Sequence, residues 1–138
     1  MRRFAAFLSS LAVLSGIVVF CAKLSPGAND LNGIWVQTNS PSENTYQEAQ
    51  ISNGSIEVYW VDELNNSRFL VWSGTYEKPP AKAREHSWVS INNKQKTEAS
   101  ILSLDSNTKL FSYKKGQLSY SVPNGGETQT INLKRKHR

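Results

Sequence analysis

The chain has 138 residues, a sequence pI of about 9.4 and a formal charge of +5. That excess sits at the ends: Arg2, Arg3 and Lys23 lie near the start, and Lys134, Arg135, Lys136 and Arg138 finish the chain. Without those seven, nine Lys/Arg stand against eleven Asp/Glu, a net of −2, so the body has no overall excess of the cations that phosphate contacts require and nucleic acid is not the expected partner.

The one cysteine, Cys21, precedes the body, which rules out a disulfide framework or a cysteine zinc site there. Roughly 110 residues must then hold themselves together by an apolar core alone, which is enough.

Residues 1–23 read as a signal peptide or transmembrane anchor. Arg2-Arg3 is followed by Phe4 to Ala22, nineteen residues without a charge, about as long as a bilayer's hydrocarbon core is thick. Three fates stay open: retention as an anchor, cleavage as a signal, and lipidation of Cys21. The arginines before the apolar stretch favour an N-terminus inside, so all three place the body outside the cytoplasm, on the cell membrane or secreted. Residues 24–30 form a linker rich in turn formers.

The body, 31–133, is a succession of short alternating runs. Leu31 to Thr38 reads as the first strand and Tyr46 to Ser52 as the second. Asn53-Gly54 is the pair that a two-residue type I′ hairpin prefers. Ile56, Val58 and Trp60 then alternate with Glu57, Tyr59 and Val61. After a polar loop, Leu70, Trp72, Gly74 and Tyr76 are expected on one face, with Phe69, Val71, Ser73 and Thr75 on the other. Pro79-Pro80 breaks the next stretch. Ser87 to Ile91 alternates again, while 96–104 fits either a strand or one or two helical turns. Leu110 to Tyr113, Leu118 to Val122 and Thr128 to Leu133 complete about eight strands, joined by tight turns such as Lys114-Lys115-Gly116-Gln117 and Asn124-Gly125-Gly126. The pattern predicts an all-β antiparallel meander closing into a small barrel, preceded by an N-terminal hydrophobic helix. Residues 134–138 form a basic tail, a solubilising end or a contact with anionic headgroups or wall polymers.

Gly33-Ile34-Trp35 at the start of such a meander resembles the first-strand Gly-x-Trp of lipocalin-like barrels. That resemblance implies a tryptophan packed across the closed end with a late arginine beside it, Arg135 or Arg138. From Leu31 to Lys134, including Glu57-Val58-Tyr59-Trp60, Trp72-Ser73-Gly74 and Leu118-Ser119-Tyr120, the body is also similar to a group of small uncharacterised lipoproteins and membrane proteins of Gram-positive bacteria and their phages. The group brings no known activity with it.

The chemistry of catalysis is thin. Of two histidines, His137 is in the tail, and His86 has no marked nucleophile or acid partner. Asp62-Glu63 fits a solvated turn better than a metal site, and no phosphate-binding or metalloprotease motif occurs. No catalytic residue, metal or cofactor is expected. The aromatics are the remaining signal. Trp60, Trp72 and Trp88 on three consecutive strands form either the core or an apolar binding wall, and Tyr59 projects outward as a contact residue. The expected function is a non-enzymatic binding or interaction module at the membrane, with an unknown protein or a small apolar ligand as partner. Two alternatives are a phage-encoded envelope protein for superinfection exclusion and a carrier of a small apolar ligand inside the barrel.

Overall fold

In the computed structural model, residues 30–98 and 106–137 are described. The leader, with Cys21, lies outside them. Eight strands follow in chain order: β1 (Gly33–Gln37), β2 (Thr45–Ser52), β3 (Ser55–Asp62), β4 (Ser67–Thr75), β5 (Glu85–Ile91), β6 (Thr108–Lys114), β7 (Gln117–Asn124) and β8 (Glu127–Arg135). A single helical turn, α1 (Lys94–Thr97), separates β5 from β6, so part of the ambiguous stretch is helical; residues 99–105 lie outside the described residues. Among the described residues no helix is long and apolar enough to cross a membrane.

All pairings are antiparallel, in the order β4-β3-β2-β1-β8-β7-β6-β5. Three hairpins share one turn chemistry. Asn53 and Gly54 (φ 50° and 76°), Lys115 and Gly116 (52° and 80°), and Gly125 and Gly126 (60° and 87°) each place two successive residues at positive φ. That is the type I′ geometry whose twist matches the flanking strands. The β3–β4 turn is held differently: the Asp62 carboxylate accepts from the Asn65 amide N–H (3.2 Å) and side chain (2.7 Å), an Asx-type closure.

The inner face is filled. Leu31, Trp35, Ala49, Ile51, Ile56, Val58, Trp72, Phe111, Leu118, Ile131 and Leu133 are each no more than 2% exposed, with Trp88 and Tyr120 only slightly more. The two-residue period puts these side chains on one surface, and the strand twist rolls that surface around them. Large aromatics do most of the filling: each buried indole removes about 150–250 Å² from water, a gross gain of roughly 4–6 kcal/mol at 25 cal/mol per Å².

One face assignment in β4 is corrected. Val58 pairs with Trp72 but Tyr59 pairs with Leu70, so a bulge inserts one extra residue. The slip turns Phe69 inward beside Trp60 and Leu70 outward beside Tyr59, reversing the alternation expected for both. The basic tail is also shorter than expected. Lys134 and Arg135 belong to β8, paired with Val36 and Trp35, and the Lys136 N–H donates to the Ile34 carbonyl (2.7 Å).

The sheet curls into a half-barrel whose edge strands, β4 and β5, meet along a short seam. The backbone contributes one bridge there, Gly74 to Asn92, and the Asn93 N–H donates to the Ser73 carbonyl (2.7 Å). Side chains supply the rest. Trp72 Nε1 donates to Ser90 Oγ (3.1 Å), Trp88 Nε1 to the Thr75 carbonyl (2.9 Å), and the Ile91 N–H to Thr75 Oγ1 (2.9 Å). The indoles are apolar fillers that carry their own donors, so burying them needs acceptors across the seam.

Candidate functional site

Strand direction fixes two ends. β1 starts, and β2, β4, β6 and β8 lead into or leave, at the end that holds Asp30, the Asn53-Gly54 turn, the 76–84 loop and the Lys115-Gly116 turn. Trp35 plugs this end. Its Nε1 donates to the Leu31 carbonyl (2.8 Å), its ring meets Tyr113 edge-on at 6.1 Å, and the Arg135 guanidinium lies over it at 4.9 Å. Arg135 therefore takes the place the first-strand motif implies; Arg138 lies outside the described residues. Arg135 also donates to the Asp30 carbonyl, tying the chain's entry point to its last strand.

The expected tryptophans share the inner face but not one environment. Trp72 and Trp88 are sealed in the core. Trp88 stacks on Phe111 (5.2 Å) and on His86 (5.7 Å) and meets Tyr76 edge-on (5.1 Å). Trp60 is half-buried toward the other end, paired with Phe69, which is 40% exposed. Tyr59 does face outward, but within a network: the Arg68 guanidinium covers its ring (4.1 Å) and its hydroxyl donates to Glu57 (3.1 Å). Burial, then the Glu57 charge, raises the Tyr59 phenol above its usual range. Glu57 also accepts from Lys96 (3.0 Å) and Ser73 (3.3 Å). Burial works to raise its pKa, but those bonds, with the one from Tyr59, prevail and leave it lowered.

His86 and Ser87, adjacent in sequence, point to opposite faces. His86 Nε2 donates to the Glu77 carbonyl (2.7 Å), while Ser87 Oγ donates to Ser112 Oγ (3.1 Å). No nucleophile–base contact joins them. Asp62 serves its own turn and Glu63 accepts from Tyr46 (2.7 Å). Among the described residues no three His, Cys, Asp or Glu side chains gather to hold a metal.

One concave feature that the sequence hides is a cleft of about 530 Å³ in the sheet wall, lined by Lys109, Leu110, Tyr120, Ser121, Pro123 and neighbouring hydroxyls. β6 and β7 pair only from Ser112↔Ser119 to the turn; beyond that they part. Counting from the two-residue turn at Gly125-Gly126, Pro123 and Ser121 occupy positions whose N and C=O point away from β8, toward β6. A proline at 123 has no N–H to offer the next strand, so the ladder, already parted after Ser112↔Ser119, cannot resume there. Lys109 takes over. Its ammonium donates to the Ser121 carbonyl (3.3 Å) and stands over the rings of Tyr120 (5.1 Å) and Trp72 (5.7 Å). Burial lowers its pKa below the ordinary lysine value. Beside it, Tyr120 donates its hydroxyl to Gln47 Oε1, and burial pushes that phenol strongly upward. A lysine in an alternating strand reads as a solvated residue, so only its inward register marks it.

No protein-family model matches the chain, and no curated protein or solved structure is significantly similar to it.

Proposed function

We propose that this chain is a non-enzymatic binding module, held at the outer face of the cytoplasmic membrane by its N-terminal segment, that recognises a partner on its outer surface rather than enclosing a cargo. The observation that carries this reading is the filled interior: Trp35, Trp72 and Phe111, each at most 1% exposed, occupy the space an internal ligand would need. The cleft between β6 and β7 is the contact region this reading favours, because it gathers one partly desolvated ammonium and several hydroxyls in a concavity. The non-enzymatic part is supported by His86, whose ring nitrogen is engaged with a backbone carbonyl and whose ring lies against Trp88.

The membrane part rests on the uncharged run Phe4 to Ala22 behind two arginines. Two measurements test the proposal. Protease added to intact spheroplasts expressing the full chain digests the body if it is outside; full protection contradicts the location. Native mass spectrometry of the full chain released from membranes shows the bare polypeptide mass, give or take modification of the leader. A retained apolar molecule contradicts surface recognition and favours the carrier.

A further inference from the structure

The charge of the body is sorted along the strand direction. At the end that holds Asp30, the β4–β5 loop carries Lys78, Lys82 and Arg84, all exposed, and the β6–β7 turn carries exposed Lys114 and Lys115. The end of β8 adds Lys134, Arg135 and Lys136. These eight cations face three carboxylates at that end, Asp30, Glu77 and Glu85, and Glu85 is engaged with Lys114 at 3.2 Å. Through the rest of the described residues the balance reverses, with four Lys/Arg against seven Asp/Glu. Two of those four are held by carboxylates, Arg68 by Glu48 (2.6 Å) and Lys96 by Glu57 (3.0 Å), and Lys109 is turned into the wall. The small net charge of the body thus conceals a strong polarity.

The chain enters at the basic end. Only residues 23–29 stand between Ala22, the last of the apolar run, and Asp30. Seven residues span at most roughly 25 Å when fully extended, and the Arg135–Asp30 contact fixes where that tether begins. We infer that the basic end of the half-barrel is a docking surface for anionic lipid headgroups, which seats the body upright with the β6–β7 turn on the bilayer and the cleft between the far halves of those strands turned away from it. This rests on the membrane-anchored reading above and extends it to an orientation. The apolar run ends in the membrane within reach of this surface, so headgroups are the anionic partner always present there. Screening confines the attraction to a layer of about 8–10 Å at physiological salt, which the short tether allows the cations to occupy.

The test uses the full chain in nanodiscs of phosphatidylcholine alone or with 30% phosphatidylglycerol, followed by amide hydrogen exchange. Residues 77–84 and 114–117 are expected to exchange several-fold more slowly with phosphatidylglycerol. Residues 63–66 and 124–127 at the opposite end are expected to be unchanged. The difference should vanish in 0.5 M NaCl and in the variant carrying Lys78→Glu, Arg84→Glu and Lys134→Glu, three exposed positions whose folding is checked by an unchanged exchange pattern in β2 and β3. Equal exchange in both lipids overturns the docking surface while leaving the anchor intact. A chain that fails to co-purify with nanodiscs of either composition overturns the anchored reading and the docking with it. Slower exchange that persists in the triple variant also counts against the inference, because the basic rim would not be its cause.

Discussion

Arg135 stands directly opposite Trp35 in the β1–β8 ladder, with its guanidinium 4.9 Å from the indole centroid and a hydrogen bond onward to the Asp30 carbonyl. One side chain thus caps the core, pairs the first strand with the last and holds the entry of the chain. Arg135→Ala removes a cation–π contact and a charge-assisted bond, which together are worth about 2–4 kcal/mol when partly desolvated. The expected outcome is a lower midpoint in urea unfolding at unchanged slope. Arg135→Lys recovers less than half of the loss, because an ammonium reproduces the charge but not the planar stack.

Gly74 marks the seam. A Cβ built there falls 2.3 Å from Ser90 Oγ, 2.6 Å from the Ile91 carbonyl and 2.8 Å from Trp72 Nε1. Two of these atoms belong to a buried hydrogen bond and one to backbone, so none yields freely. Gly74→Ala is expected to cost about 1–3 kcal/mol by overpacking. The double variant with Ser90→Gly removes the nearest contact but leaves the carbonyl clash and orphans the Trp72 donor. It is therefore expected to regain little stability, a comparison that equilibrium unfolding of both variants decides.

Tyr46 supplies a pH signature. Its hydroxyl donates to Glu63 (2.7 Å), and that bond, then burial, raises its pKa to about 12. In the unfolded chain a tyrosine titrates near 10. The folded state keeps its proton where the unfolded state loses it, so this bond's contribution is complete below about pH 10 and falls away as pH rises toward 12. Absorbance titration of the full chain against Tyr46→Phe should isolate one phenol ionising near pH 12. Glu63→Gln should return it toward 10.

Lys109 behaves in the opposite sense. Burial lowers its pKa, so between that lowered value and the unfolded value of about 10.4 the unfolded chain binds the extra proton and stability rises with pH. Lys109→Met keeps the stem's packing and removes the desolvated charge. The variant is expected to be at least as stable as the parent at pH 7 and to lack the rise that the parent shows as pH climbs toward the unfolded lysine value of about 10.4, measured as the unfolding midpoint at each pH. A parent that shows no such rise contradicts the burial of the amine.

Much of this fold can be read in the residues. Asn53-Gly54 marks its turn because few other pairs accept two positive φ values, and the Ile56, Val58, Trp60 alternation declares its inner face. The Phe69 and Leu70 faces could not be read, because a bulge is a property of two strands together and leaves no mark in either alone. Trp60, Trp72 and Trp88 were legible as one face, but core and binding wall differ only in what stands opposite, which is a tertiary fact. Lys109 and Pro123 are ordinary in isolation; their pairing across β6 and β7 creates the cleft. The charge polarity is hidden for a similar reason: Lys78, Lys115 and Lys136 are far apart in sequence and meet only when strand direction brings their loops to one end.

The account rests on an interior closed to solvent and to cargo, and the tryptophans report on it directly. Full-chain protein in nanodiscs, labelled with 5-fluorotryptophan, gives four fluorine resonances, one for each tryptophan. A soluble paramagnetic quencher is predicted to broaden only that of Trp60 and to leave Trp35, Trp72 and Trp88, each at most 3% exposed, sharp. Broadening of Trp72 together with Trp60 would contradict the account, because it would mean an open cup with room for a ligand.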